Sequence, residues 1–177
     1  MAICAFIVMT HIVPHAIDLG INQVQAATIL SFIGGTSILG TLFMGRASDI
    51  MGRKPAILIS TLLMAGAMLW LIWSSSLWML YLFAVIFGFS YGGISSPVNA
   101  FIGDAFGTRH IGVILAITGA PFSVGAAVGP ALAGYIFDIS GSYLVAFLAS
   151  MVATLITAIL ALFLRVPKAK EKEQAIY

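Results

Sequence analysis

An all-α membrane bundle of six transmembrane helices is the fold this sequence predicts, and three observations carry the expectation. The 177 residues are 61% hydrophobic and 8% charged, whereas soluble domains carry about 25% charged residues. Between short charged segments run charge-free stretches, of the roughly 20 residues a helix needs to cross a bilayer. All eight Lys and Arg residues (Arg46, Arg53, Lys54, Arg109, Arg165, Lys168, Lys170 and Lys172) fall on one side of a single threading of those stretches, as cytoplasmic loops require.

The spans follow in order. Span one covers 1–17 and is short; span two covers 26–44. The stretch 55–103 has no charge and is too long for one crossing. It divides at Trp73-Ser74-Ser75-Ser76-Leu77-Trp78, where two Trp residues suit a membrane interface. Span three is therefore 55–73 and span four 78–103. Spans five and six cover 111–137 and 143–164, and a charged tail occupies 165–177. Pro55 fits the first turn of a helix, and Pro167 follows the last one. An even number of spans puts both termini on one side, predicted to be the cytoplasm of the cell's inner or plasma membrane. The opposite side carries only Asp18 and Asp138, against four acids with the cations (Asp49, Asp104, Glu171 and Glu173).

Several classes drop out. The basic residues are loop anchors, not a basic face, so no nucleic-acid partner is expected. Cys4 is alone, which excludes a disulfide framework and a thiolate metal site. No nucleotide fingerprint or cofactor motif occurs. The segment Gly88-Phe89-Ser90-Tyr91-Gly92 matches a nucleophile-elbow pattern, but that pattern needs a strand-to-helix turn and this one falls inside a span. An enzyme is not expected.

The stretch after span two reads Gly45-Arg46-Ala47-Ser48-Asp49-Ile50-Met51-Gly52-Arg53-Lys54. As a loop, it lets two helix ends approach at Gly45 and Gly52, and Asp49 can pair with Arg53 or cap a helix N-terminus. This spacing resembles the G-x-x-x-D-x-x-G-R-K signature of the major facilitator superfamily, and the resemblance implies a conformational-switch loop of Gly45, Arg46, Asp49, Gly52, Arg53 and Lys54. The segment from Gly125 to Tyr143, with Gly129, Pro130, Gly134, Asp138 and Gly141, is similar to the second half of bacterial transporters of the monocarboxylate and oxalate–formate branch. So is the exit of span one, from His11 through Pro14 and His15 to Gly20. The resemblance covers nearly the whole chain. It implies the carboxyl-terminal six-helix half of a twelve-helix transporter, or a free-standing half, partnered by the lipid bilayer, a small-molecule substrate and a second six-helix half. The second half would be the missing amino-terminal one or another copy. The implied function is secondary active or facilitated transport of a small polar metabolite, expected to be an organic anion such as a monocarboxylate, by alternating access. The alternative is a truncated or half-size unit with a structural or assembly role.

Polar groups inside spans are expensive and so are candidates for the solute pathway. Tyr91, Ser95 and Asn99 recur every four residues on one stripe of span four, with Pro97 among them. Span five brings Thr118 and Ser123, with Pro121 between them. The competing reading is helix-to-helix hydrogen bonding. His11 and His15 share a stripe of span one, where imidazoles could relay a proton or hold an anion. No third ligand accompanies them, so no metal is expected. Pro14, Pro97, Pro121 and Pro130 are expected to break helices. Gly88 with Gly92, and Gly125 with Gly129, are expected to let helix backbones touch. In the superfamily the first, second, fourth and fifth helices of a half line the cavity. Relatives of the monocarboxylate type often carry a buried basic residue in the second. Span two has Thr28, Ser31, Thr36, Ser37 and Thr41 and no charge. The cation for an organic anion would then come from His11, His15 or the other half.

Overall fold

The computed structural model describes residues 1–107 and 109–164. They form six helices: α1 (Ala2–Asp18), α2 (Gln23–Met51), α3 (Arg53–Ile72), α4 (Leu77–Phe106), α5 (Ile111–Ser140) and α6 (Leu144–Leu162). Helices α2 to α6 are each long and apolar enough to cross a membrane. The 17-residue α1 is apolar but shorter, about 25 Å at roughly 1.5 Å per residue. The tail from Arg165, with Lys168, Lys170 and Lys172, lies outside the described residues.

The largest departure from expectation is at the stretch 45–54. It is not a loop. Helix α2 continues seven residues past the expected end of span two, so Gly45 to Met51 are helical. Only Gly52, at φ +96°, separates α2 from α3. The segment before Gly52 contains no proline and ordinary helix formers, so nothing stops the helix earlier. A positive φ is open to glycine at no steric penalty, which is why the turn falls there. The second correction concerns Pro14, Pro97, Pro121 and Pro130. None breaks its helix: α1, α4 and α5 run through them without interruption. A proline withholds one N–H and frees one carbonyl. In an apolar bundle the turns on either side have no better partners than their own helix.

Helix pairing follows the small residues. Helix α4 packs most closely on α2. A Cβ built at Gly92 would collide with the Ser37 backbone carbonyl, one at Gly88 with the Ile33 carbonyl, and one at Gly40 with the Phe89 carbonyl. The helices therefore meet backbone to backbone, and two cross-helix bonds fix the register. Thr36 Oγ1, which donates to the Phe32 carbonyl of its own helix at 2.7 Å, also reaches the Ala84 carbonyl at 3.3 Å. Thr41 Oγ1, which donates to the Ser37 carbonyl at 2.9 Å, reaches the Gly92 carbonyl at 3.2 Å. Each cross-helix contact is the longer arm of a shared bond. Helix α5 packs on α1 in the same manner, with Gly129 against the Ile3 carbonyl (2.8 Å from a built Cβ) and Gly125 against Ala2 (3.0 Å). Both expected glycine pairs are thus packing surfaces.

The core is apolar, with Phe83, Phe87, Phe147, Met64 and Met68 among its fully enclosed side chains. Helices α3 and α6 enclose Ser60, Thr61, Ser150 and Thr154, and Thr154 Oγ1 meets Cys4 Sγ at 3.1 Å. By contrast α5 buries little beyond Gly125, Gly129 and Ala133, and much of α2 is open. Charges segregate by end. Arg53 at the start of α3 reaches Asp104 near the end of α4, and Lys54 donates to the Leu162 carbonyl at the end of α6. At the opposite end lie Asp18, the last residue of α1, and Asp138, in the last turn of α5.

Candidate functional site

Helices α4 and α5 touch only lightly, and a cavity of about 570 Å³ opens between them. Four of the seven expected pathway residues line it: Tyr91, Ser95 and Asn99 from α4 and Thr118 from α5. They come together because period-four spacing on α4 stacks one side chain above the next and the antiparallel α5 faces that stripe. Ile94, Val98 and Ile102 continue the α4 wall, and Leu115, Gly119 and Phe122 the α5 wall; Met64 of α3 and Met1 complete it. The apolar members escaped the sequence reading, although the signal was present. Residues 91, 94, 95, 98, 99 and 102 form one i, i+3, i+4 stripe, as do 115, 118, 119 and 122.

The polar groups are unequal. Ser95 Oγ donates to the Gly92 carbonyl at 2.8 Å and Thr118 Oγ1 to the Ile114 carbonyl at 2.9 Å. Both hydroxyl protons are spent within their own helices. The Tyr91 ring stacks on Phe87, centroids 6.5 Å apart. Among the described residues, the Tyr91 hydroxyl and the Asn99 amide have no hydrogen-bond partner. No charged side chain lines the cavity.

The other expected residues lie elsewhere. Ser123 is exposed and bonds back to the Gly119 carbonyl at 3.3 Å. His11 and His15 are toward the far end of α1. His11 Nε2 donates to the Pro130 carbonyl at 3.0 Å, which places the proton on Nε2 because a carbonyl can only accept. His15 packs edge-on to Tyr143 and Phe147. The two imidazoles join α1 to α5 and α6 and do not reach the cavity. Thr28, Thr36, Ser37 and Thr41 of α2 all donate to carbonyls of their own helix, and Thr28 also meets the Tyr81 hydroxyl at 2.7 Å. Ser90 is enclosed in α4, bonded to the Ile86 carbonyl at 2.6 Å, with no strand-to-helix turn around it.

At the charged end, Arg53 gathers three partners. Its guanidinium bonds Asp49, Asp104 at 2.9 Å and Ser48 Oγ at 2.8 Å. Asp49 is one turn before Arg53 in sequence, whereas Asp104 comes from α4 and was not anticipated. Arg46 projects from the last turns of α2, exposed. Both carboxylates are half-exposed or more, at 65% and 49% for Asp49 and Asp104, so solvent screens the pairs. Arg53→Gln is expected to lower stability by about 1 kcal/mol or less. A double-mutant cycle with Asp104→Asn, followed by thermal unfolding at low and high salt, checks this. The coupling should shrink in high salt, and a salt-independent coupling above about 2 kcal/mol would contradict it.

The family model of the Major Facilitator Superfamily matches residues 1–176. The chain belongs to this superfamily. Among relatives, monocarboxylate transporter 12 of Homo sapiens is 27% identical over 168 residues, covering 93% of this chain and 33% of the relative. Monocarboxylate transporter 13 of Rattus norvegicus is 30% identical over 145 residues, 80% of this chain and 34% of the relative. The class H tetracycline resistance protein of Pasteurella multocida is 31% identical over 112 residues, 63% of this chain and 28% of its own length. The chain spans about a third of the length of the monocarboxylate transporters it matches. As a major facilitator with five long apolar helices, it is a multi-pass membrane protein.

Proposed function

We propose that this chain is the carboxyl-terminal six-helix unit of a major facilitator transporter, and that it moves a small organic solute along the α4–α5 cavity by alternating access. The observation that carries the reading is the convergence of Tyr91, Ser95, Asn99 and Thr118 on one cavity from two separate helices. All six helices span the membrane, with 1–164 as one bundle and both termini in the cytoplasm. The grouping of Asp49, Arg53, Lys54 and Asp104 at one end supports that orientation. A second six-helix unit covers the open faces of α2 and α5, where Gly34 and Gly35 of α2 and Gly112 and Gly119 of α5 have nothing within 4 Å of a built Cβ. The motion is rocking of one unit on the other, with the Gly45–Lys54 segment as a conformational switch. The names of the relatives favour an organic anion such as a monocarboxylate. In that case the facing unit supplies the cation, because no charged side chain lines this wall.

Two measurements test the reading. An impermeant maleimide applied to intact cells should label Leu19→Cys and spare Ile50→Cys, both exposed positions; the reverse pattern ends the proposed orientation. Uptake into vesicles from cells expressing the chain in its native gene context should saturate. Asn99→Ala should reduce it about tenfold, as the loss of one transition-stage hydrogen bond implies. Uptake unchanged by Asn99→Ala would remove the cavity from the pathway.

A further inference from the structure

Solute recognition in the cavity follows from how its polar atoms are distributed. Of four polar side chains, two have already given their protons to backbone carbonyls: Ser95 to Gly92 and Thr118 to Ile114. The two with a proton left to donate are Tyr91 and Asn99, while Ser95 and Thr118 can still accept. They are eight residues apart on one stripe of α4, about 12 Å along the axis at roughly 1.5 Å per residue. Between and opposite them the wall is Ile94, Val98, Leu115 and Phe122. The result is an apolar slot with an uncharged hydrogen-bonding group toward each end.

We infer that this wall selects an elongated organic solute with an apolar body and uncharged hydrogen-bonding groups (hydroxyl, carbonyl or amide) at its two ends, read by Tyr91 and Asn99. The inference rests on the cavity being the solute path. Physical chemistry decides the class. A carboxylate against this wall can accept from the Tyr91 hydroxyl and the Asn99 amide but meets no cationic side chain that would neutralise it. An amide or hydroxyl finds a donor and an acceptor at Asn99 and a donor at Tyr91. Length is the second selector. At about 1.5 Å per bond, a solute of two or three carbons reaches one end only. Roughly four to six carbons span both once each hydrogen bond takes up about 3 Å. A solute that carries a charge as well must turn it away from this wall, toward the facing unit.

The test is equilibrium binding of two homologous series to the chain in nanodiscs, from about three to about twelve carbons. One series is the ω-hydroxyalkanoates and the other the matched ω-hydroxyalkanamides. Affinity is expected to pass through a maximum at intermediate length, with the amides binding at least as tightly as the carboxylates. Tyr91→Phe keeps the ring and removes only the hydroxyl, and Asn99→Leu keeps the volume. Each should weaken the best member about tenfold and leave the shortest members within about twofold. Thermal midpoints of both variants establish that they are folded. Affinity independent of length, insensitivity to both variants, or a requirement for the carboxylate overturns the inference. Failure of the transporter reading is registered separately: the length-dependent binding would persist while vesicles showed no flux.

Discussion

Gly92→Ala is expected to destabilise the bundle by about 3 kcal/mol, the upper end of what overpacking a filled core produces. The reason is geometric. A methyl group at Gly92 occupies the place of the Ser37 backbone carbonyl, and a backbone cannot rotate aside as a side chain can. Helices α2 and α4 would have to separate. That separation also breaks the longer arms of the shared Thr36 and Thr41 hydrogen bonds, which reach the Ala84 and Gly92 carbonyls at 3.3 and 3.2 Å. The same substitution at Gly66, on the open face of α3 with nothing within 4 Å of a built Cβ, should be neutral or slightly stabilising, since alanine is the better helix former. Thermal unfolding of the purified variants in one detergent makes the comparison. Equal midpoints for Gly92→Ala and Gly66→Ala would show that the α2–α4 contact does not hold the fold.

How far the sequence disclosed this architecture depends on which signal each part used. Helix existence was legible: each charge-free stretch holds a helix among the described residues, and five of the six are long and apolar enough to cross a membrane. Helix ends were not. Hydropathy marks where lipid contact stops, and α2 keeps its hydrogen-bond ladder for two more turns through Arg46 and Asp49, up to Gly52. Prolines misled for a related reason: their cost is local, and the surrounding ladder has nowhere else to go. Tyr91, Ser95, Asn99 and Thr118 of the cavity lining stood out in the sequence because they are polar groups against an apolar background. Ile94, Val98, Leu115 and Phe122 were invisible by that criterion, since a cavity wall and a lipid-facing surface use the same residues. Asp104 as a partner of Arg53 was beyond reach for another reason. No local spacing relates residues that are 51 positions apart. His11 and His15 share a stripe of α1, and spacing alone did not disclose their partners, a carbonyl of α5 for His11 and aromatic rings for both.

Ser95→Trp is expected to abolish flux, by about a hundredfold or more, while leaving the fold intact. Ser95 faces the cavity and is exposed, so an indole there enters open space and not a packed core. Its bulk takes up a large part of the 570 Å³ and would close the passage between Val98 and Leu115. Ser95→Ala separates volume from chemistry. The hydroxyl proton is already committed to the Gly92 carbonyl, so its loss should alter flux by no more than about threefold, consistent with a bond that contributes about 1 kcal/mol or less. Val152→Trp, on an exposed face of α6 away from the cavity, controls for adding an indole to the bundle and should transport normally. Uptake rates and thermal midpoints on all three variants decide the matter. If Ser95→Trp still transports, the solute passes elsewhere, and the assignments of Tyr91, Asn99 and Thr118 fall with it. If Ser95→Trp unfolds, the cavity is a packing defect with no room to spare, and helices α4 and α5 are held more tightly than their light contact implies.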